Sequence, residues 1–483
     1  MFFCLMLFCL SAVPAFADVD SVIKELNESP SVVGSDDIKS YKILFDAYLK
    51  MSKPPMPVDE NFNLTTIHPK MSQWSAVSGW AESNADMAKA IVACKQKAII
   101  GLPYGAANVD PKYREKDLFV DIGAGGSLRN NTFNYLKPLD EICAFATAET
   151  YRLMEAGKIQ DGLDLCVAST AVLRQFCDRD FLQEKLYGIE LLSAMLSNMR
   201  DVFYAYREKI SSEQFSDIAS WEIPFLRPDR SRLFMPEGDR IVATELINEV
   251  FRASDGSADP KKFADTFAEI QSREAPLTRF GAAKRWAMIA AVHSSREDSI
   301  NKIKLIFDDW WRRWRWDPYD PMLDMQTEFE RMNPIRYAAV LYSVQDVETL
   351  FSVRNQLRVE VNGTAVAAGI CGYSRAHSDT FPDQTEKAYN TYMRKASDFD
   401  PFDKHMDQSF HPFIYRIASA RQSVDTPEGR VWVEPGEAIL YSIGQDHTDN
   451  LAQKHTNDGA AGDIVMWPPI KTLERRANPP LIP

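Results

Sequence analysis

Four aspartates near the end of the chain carry its clearest chemistry. Asp446 and Asp449 lie in Tyr441-Ser442-Ile443-Gly444-Gln445-Asp446-His447-Thr448-Asp449-Asn450; Asp458 follows, and Asp463 opens Gly462-Asp463-Ile464-Val465-Met466-Trp467. Ala438 to Tyr441 reads as a short apolar strand entering a glycine turn, and the residues after Gly462 read as a second strand. Carboxylates crowded into one loop repel each other unless a cation lies among them, and calcium takes roughly six to eight hard oxygens of this kind. A small module with few core residues gains stability by closing such a loop on a metal. The alternative is an acidic surface turn in which aspartates serve as turn formers and no ion is needed.

Histidine placement supports a rival chemistry. His377, His405, His411, His447 and His455, five of the seven in the chain, fall among these late aspartates. Mixed His/Asp ligands suit zinc or another transition metal, and an open coordination position would activate water, which makes a metal-dependent hydrolase the first alternative. The tight His-Glu-x-x-His spacing is absent.

The run Trp310-Trp311-Arg312-Arg313-Trp314-Arg315-Trp316 is the second conspicuous feature. On a helix, Trp310 and Trp311 both neighbour Trp314, and Arg315 lies one turn beyond Trp311. Exposed indoles at Trp310, Trp311 and Trp314 would suit sugar rings or a partner protein, which makes a glycan binder the second alternative. The opposing expectation is an interface helix with its tryptophans packed inward and its arginines paired with Asp308, Asp309 and Asp317. Val120-Asp121-Ile122-Gly123-Ala124-Gly125-Gly126-Ser127 superficially matches a nucleotide-binding glycine loop, but long helices rather than alternating strands follow it, so a surface loop is expected.

Most of the chain must be helix. Asp36–Met51 and Ser83–Ile99 have amphipathic spacing, and three long segments between Thr132 and Tyr206 are separated only by Ala156-Gly157-Lys158 and the residues before Phe181. Short links of this kind imply antiparallel hairpins, with only a loose packing likeness to tetratricopeptide pairs. Further helices are expected over 241–251, 260–270, 278–293 and 298–316, and a long one over Val347–Ala376. Beyond Pro382 the texture changes to short strands and turns.

The 483 residues exceed one typical core. A formal net charge of -13 disfavours nucleic acid and anionic membranes as partners. Residues 1–17 read as a secretory signal, apolar from Met1 to Leu10 and ending in a small-x-small pattern at Ala15 and Ala17. Removing it leaves Cys94, Cys143, Cys166, Cys177 and Cys371. Cys143, Cys166 and Cys177 fall on apolar helix faces as small core residues, and an oxidising compartment would allow one disulfide among them.

The C-terminal part resembles the globular domain of type II secretion major pseudopilins. The order runs from a helix (Asn355 to Ala376) into Thr380-Phe381-Pro382. It continues through Phe399-Asp400-Pro401-Phe402-Asp403, His411-Pro412-Phe413-Ile414-Tyr415-Arg416, Leu440 to Asp446, and Gly462-Asp463-Ile464. The resemblance implies a calcium-binding final loop, with Asp446 and Asp463 in the side-chain roles and Asp449 and Asp458 as additions. Two departures stand out: a conventional signal and a long helical body precede the match, and His447 and His455 replace the family's glycine run.

Together these readings give a mainly α chain. Residues 1–17 form the signal peptide, 18–340 an antiparallel helical-hairpin domain, and 341–483 a small pseudopilin-like α+β module. The expected function is non-enzymatic binding or scaffolding in the periplasm or outside the cell, on a protein or cell-envelope component, with Ca2+ as cofactor.

Overall fold

Long-range contacts in this chain converge on one buried helix near its C-terminal end. The computed structural model describes residues 19–124, 128, 130–220, 235–274, 279–316, 320–403, 411–426, 429–453 and 462–477. The signal segment 1–17, Asp317, His405, His455 and Asp458 lie outside these residues. The first helices are α1 (Val19–Asn27), α2 (Tyr41–Tyr48), α3 (Trp74–Ser83), α4 (Ala85–Cys94) and α5 (Pro111–Arg114). A small hairpin, β1 (Val120–Asp121) and β2 (Thr132–Phe133), leads to α6 (Leu136–Glu155), α7 (Ile159–Phe176), α8 (Leu182–Ala205) and α9 (Ser212–Ser220). Next come α10 (Glu237–Val250), α11 (Pro260–Glu274), α12 (Arg279–Ala290), α13 (Arg296–Arg315), α14 (Ala338–Ser343) and α15 (Glu348–Ala376). Five strands close the chain before a last helix: β3 (Ile414–Ile417), β4 (Gln422–Thr426), β5 (Gly429–Val433), β6 (Ala438–Ser442), β7 (Ile464–Trp467) and α16 (Ile470–Ala477). The protein is mainly helical with a few small antiparallel sheets.

Local sequence explains most of these elements. In α8, Ile189, Leu192, Met195, Leu196 and Met199 recur at three- and four-residue spacing and are all buried. Ser295 caps α13 by accepting the Asp298 amide at 3.1 Å, with acids in the first turn and three arginines in the last. Helix α15 is buried on nearly every side, and it packs against α8, α9 and strands β6 and β7. Gly363 makes this close packing feasible: a Cβ there would stand 2.3 Å from the Met466 side chain of β7.

Two expected helices are shorter than their periodicity suggests. Asp36–Ile38 forms a single 3-10 turn and α2 begins only at Tyr41, because Lys39 bridges Ile99 and the Ser40 amide donates to the Ile99 carbonyl at 3.2 Å. The expected Ser83–Ile99 helix runs only over Ala85–Cys94, cut off from α3 at Asn84. That side chain donates to the Trp80 carbonyl (2.7 Å) and accepts the Ser52 amide (2.9 Å), competing with the helix ladder. Val120 lies opposite Phe133 in an antiparallel pair, and Gly125, Gly126 and Ser127 of the glycine motif lie outside the described residues.

Two large apolar cores result. The first gathers α1–α8 with α10–α14 and the start of α15, from Leu44 and Phe145 to Trp310 and Leu350. The second joins Tyr151, Phe203 and Phe215 of the helices to Val366 and Ile370 of α15 and to Leu440, Met466 and Trp467 of the sheet. All five cysteines from Cys94 to Cys371 are buried free thiols. Among the described residues, no helix is long and apolar enough to cross a membrane.

Candidate metal centre

The late aspartates sit where two neighbouring strands meet. Strand order is β3-β6-β7, all antiparallel, with Ile414 opposite Tyr441 and Tyr441 opposite Val465. Every residue of β6 is buried, in keeping with the apolar run from Ala438 to Tyr441. The connection from β6 to β7 starts at Gly444, whose φ of 68° and close approach to the Gly462 carbonyl bring its two ends together.

Each described aspartate holds part of this connection through N–H or O–H donors. Asp463, 1% exposed, accepts the amides of Asn450 (3.2 Å) and Ala452 (2.6 Å). Asp446 accepts the Thr448 amide (3.1 Å) and the Asn450 side-chain amide (2.8 Å). Asp449 accepts the Tyr441 hydroxyl (2.9 Å) and the Leu451 amide (2.8 Å), both on Oδ1. The backbone of this connection is left-handed at His447, Leu451 and Ala452. Burial pushes the Asp463 carboxyl up to about 6 against the pull of its two amides, and nearby Asp449 and Asp446 push it the same way.

The donor set suits a hard cation in kind. An ionised carboxylate has about four lone-pair sites, so each of these groups keeps acceptor capacity beyond its present bonds. Asp449 Oδ2 accepts no hydrogen bond among the described residues. Even so, no three His, Cys, Asp or Glu side chains among the described residues are grouped closely enough to hold a metal. As it stands, the connection is held shut by hydrogen bonds, with three carboxylates at its closure.

Comparison with known proteins finds no matching family, no matching curated protein and no matching solved structure.

Several supporting groups lie outside the loop. Arg416 on β3 donates to the Leu451 carbonyl at 3.0 Å, bringing a cation to the edge of the loop. Its sequence signal is alternation: Arg416 shares a strand face with Ile414, which lies opposite Tyr441. Asp398 and Asp400, beside and within the turn motif Phe399–Asp403, are buried carboxylates that fasten this turn to its neighbours. Asp398 accepts the Tyr389 hydroxyl (2.7 Å) and the Phe413 amide (3.0 Å).

The described histidines of this region are scattered. His447 Nδ1 lies 2.6 Å from the Phe402 carbonyl, and His377 stacks on Tyr373 with Nδ1 against that residue's carbonyl at 2.8 Å. His411 Nδ1 is 3.7 Å from Asp403. No pair of them shares a ligand position.

The tryptophan helix turns inward. Trp310 and Trp314 are each 2% exposed, and Trp311 is half-buried. Trp310 packs edge-on to Phe307 and tilts against Phe329, while Trp314 meets Phe351 and lies 3.9 Å beneath the Arg354 guanidinium. Arg313 pairs with Asp309 at 3.1 Å and donates to the carbonyls of Met322, Leu323 and Gln326. The exposed indole faces that a glycan groove needs are thus missing at Trp310 and Trp314, because these rings fill the first core. Of the three, only Trp311, with Arg315 4.5 Å over its ring, reaches the surface.

Proposed function

We propose that this chain is an exported, non-enzymatic binding or scaffolding protein of the cell envelope. Its C-terminal part, 341–483, acts as a pseudopilin-like α+β module stabilised by calcium. Its body of helical hairpins, 18–340, offers the contact surface to a protein or cell-envelope partner. What supports the calcium reading is that Asp446, Asp449 and Asp463 all serve the β6–β7 connection, with Asp449 and Asp446 near enough to Asp463 to push its carboxyl up. Their mutual repulsion is what a divalent ion would relieve. Asp458 belongs to the same connection by sequence and supplies a further oxygen in this reading. The order of motifs from α15 to β7 supports the pseudopilin likeness, and the signal-like residues 1–17 support export.

The test is thermal denaturation of the chain in calcium and in chelator, together with calcium titration by calorimetry. Ligand binding to the folded state alone raises stability by roughly 2.7 kcal/mol at a hundredfold excess over Kd. A melting temperature several degrees higher in calcium is expected, with the difference lost in Asp446→Asn/Asp449→Asn. Identical melting in both conditions, without heat of binding, would refute the calcium reading.

A further inference from the structure

A second polar site lies where the helices α6 and α8 meet the final helix α16. A cleft of about 200 Å³ opens between the ends of α6 and α8, the segment around His68 and the final helix α16. Tyr151, Glu155, His68, Lys70, Tyr206 and Arg475 line it. Helix α16 forms its far wall because the buried Asp201 of α8 accepts Thr472 Oγ1 at 2.7 Å and Arg475 Nη2 at 2.9 Å.

Two groups in this cleft ask for a ligand. Tyr151 is 2% exposed, and beside its hydroxyl lies only the Arg475 guanidinium, which is poorly aligned for a hydrogen bond and already donates to Asp201. Buried hydroxyls of this kind almost always have a partner. His68 accepts the Lys70 amide on Nδ1 at 3.1 Å, so its neutral ring carries its proton on Nε2 as a donor. Burial and Arg475 keep that ring neutral, with its pKa lowered to about 4.

Charge and spacing define the ligand. Arg475 and Lys70 are positive, Asp201 and Glu155 negative, so the surroundings are balanced rather than cationic. Lys209 lies 5.5 Å over the Tyr206 ring at the margin. Arg475 lies beside both Tyr151 and His68, whereas Glu155 lies one helical turn further on, with roughly 5–6 Å between the Cβ positions of Tyr151 and Glu155. Glu155 is held by the Tyr206 hydroxyl at 2.6 Å on Oε1 only. A balanced cleft with donors at one end and a carboxylate at the other matches a ligand bearing both charges.

We propose that this cleft binds a small α-amino acid as its zwitterion, the carboxylate facing Tyr151, His68 and Arg475 and the ammonium facing Glu155. The site is independent of calcium, and titrations run in chelator keep the two proposals separate. The probes are glycine, L-alanine and L-serine, with acetate and methylammonium as half-ligands, followed by calorimetry and melting of the full chain.

Binding of at least one amino acid is expected, with either half-ligand at least tenfold weaker. Tyr151→Phe and Glu155→Gln should each weaken it about tenfold, the equivalent of one charge-assisted hydrogen bond. Glu155 is exposed, so its variant reports on binding even where Tyr151→Phe disturbs the fold. Three outcomes overturn the proposal: no amino acid binding, acetate binding as tightly as glycine, or Glu155→Gln binding unchanged.

Discussion

Asp400 accepts the main-chain amide of Ile443 at 3.0 Å, tying the turn that follows α15 to the end of β6. The same carboxylate accepts Ser442 Oγ (2.8 Å) and the Phe402 amide (3.0 Å), and it is 1% exposed. It therefore fixes the strand end from which the acidic connection departs. Removing it strands buried donors, each at a cost of about 1–3 kcal/mol. Asp400→Ala should lower stability by about 3 kcal/mol or more, read from urea denaturation midpoints. An unchanged midpoint would show that the turn and strand are not held this way.

Gly444 tests the closure of that connection. Its φ of 68° already disfavours a side chain, by about 1–2 kcal/mol, and a Cβ would stand 2.3 Å from the Gly462 carbonyl oxygen. The obstacle is backbone and cannot swing aside. Gly444→Ala should lower the melting temperature and speed proteolysis between Gly444 and Gly462. A variant as resistant as the parent would mean that the two ends need not touch.

Asp239 gives a pH dependence of definite sign. It is buried and accepts the Leu182 amide at 2.6 Å. Burial pushes its carboxyl up to about 7; Glu184 adds to the rise, while the Leu182 amide and Lys185 oppose it. The folded protein then holds this proton more tightly than the unfolded chain does. Its contribution is greatest below about pH 4, is lost as pH rises towards about 7, and is flat above. Asp239→Asn cannot titrate and keeps an acceptor for Leu182. The stability of the parent minus that of the variant should fall across roughly pH 4, 5.5 and 7 in chemical denaturation. A constant difference would show that Asp239 titrates normally.

The tryptophan helix predicts a split between neighbours. Trp314 fills the first core, and truncating a buried tryptophan costs about 3–5 kcal/mol. Trp311 is only half-buried, so Trp311→Ala should cost about 1 kcal/mol or less. Urea denaturation of both variants measures the contrast, and equal losses would contradict the packing of α13.

Elements set by local spacing are legible in the residues alone. The helix expected over Val347–Ala376 is found at Glu348–Ala376, and the two strands flanking the acidic connection are β6 and β7, paired as neighbours. Boundaries differ where a distant partner competes, as at Asn84 with Ser52. The candidate site is legible only as a set of acids in one loop. Nothing in the spacing shows that Asp463 is buried with its oxygens on the amides of Asn450 and Ala452, nor that Arg416 reaches the loop from another strand.

Helix content, the change to strands after Pro382 and the acidic connection belong to the sequence by itself, because periodicity and turn residues act within a few positions along the chain. Tertiary structure alone decided that Trp310 and Trp314 are core while Trp311 meets solvent, since all three lie on one helix and differ only in what packs against each face. It alone paired Asp201 with Arg475 across 274 positions, making the cleft beside Tyr151. Contacts at such range depend on how whole helices dock, and docking is set by the shapes of surfaces that exist only once the chain has folded.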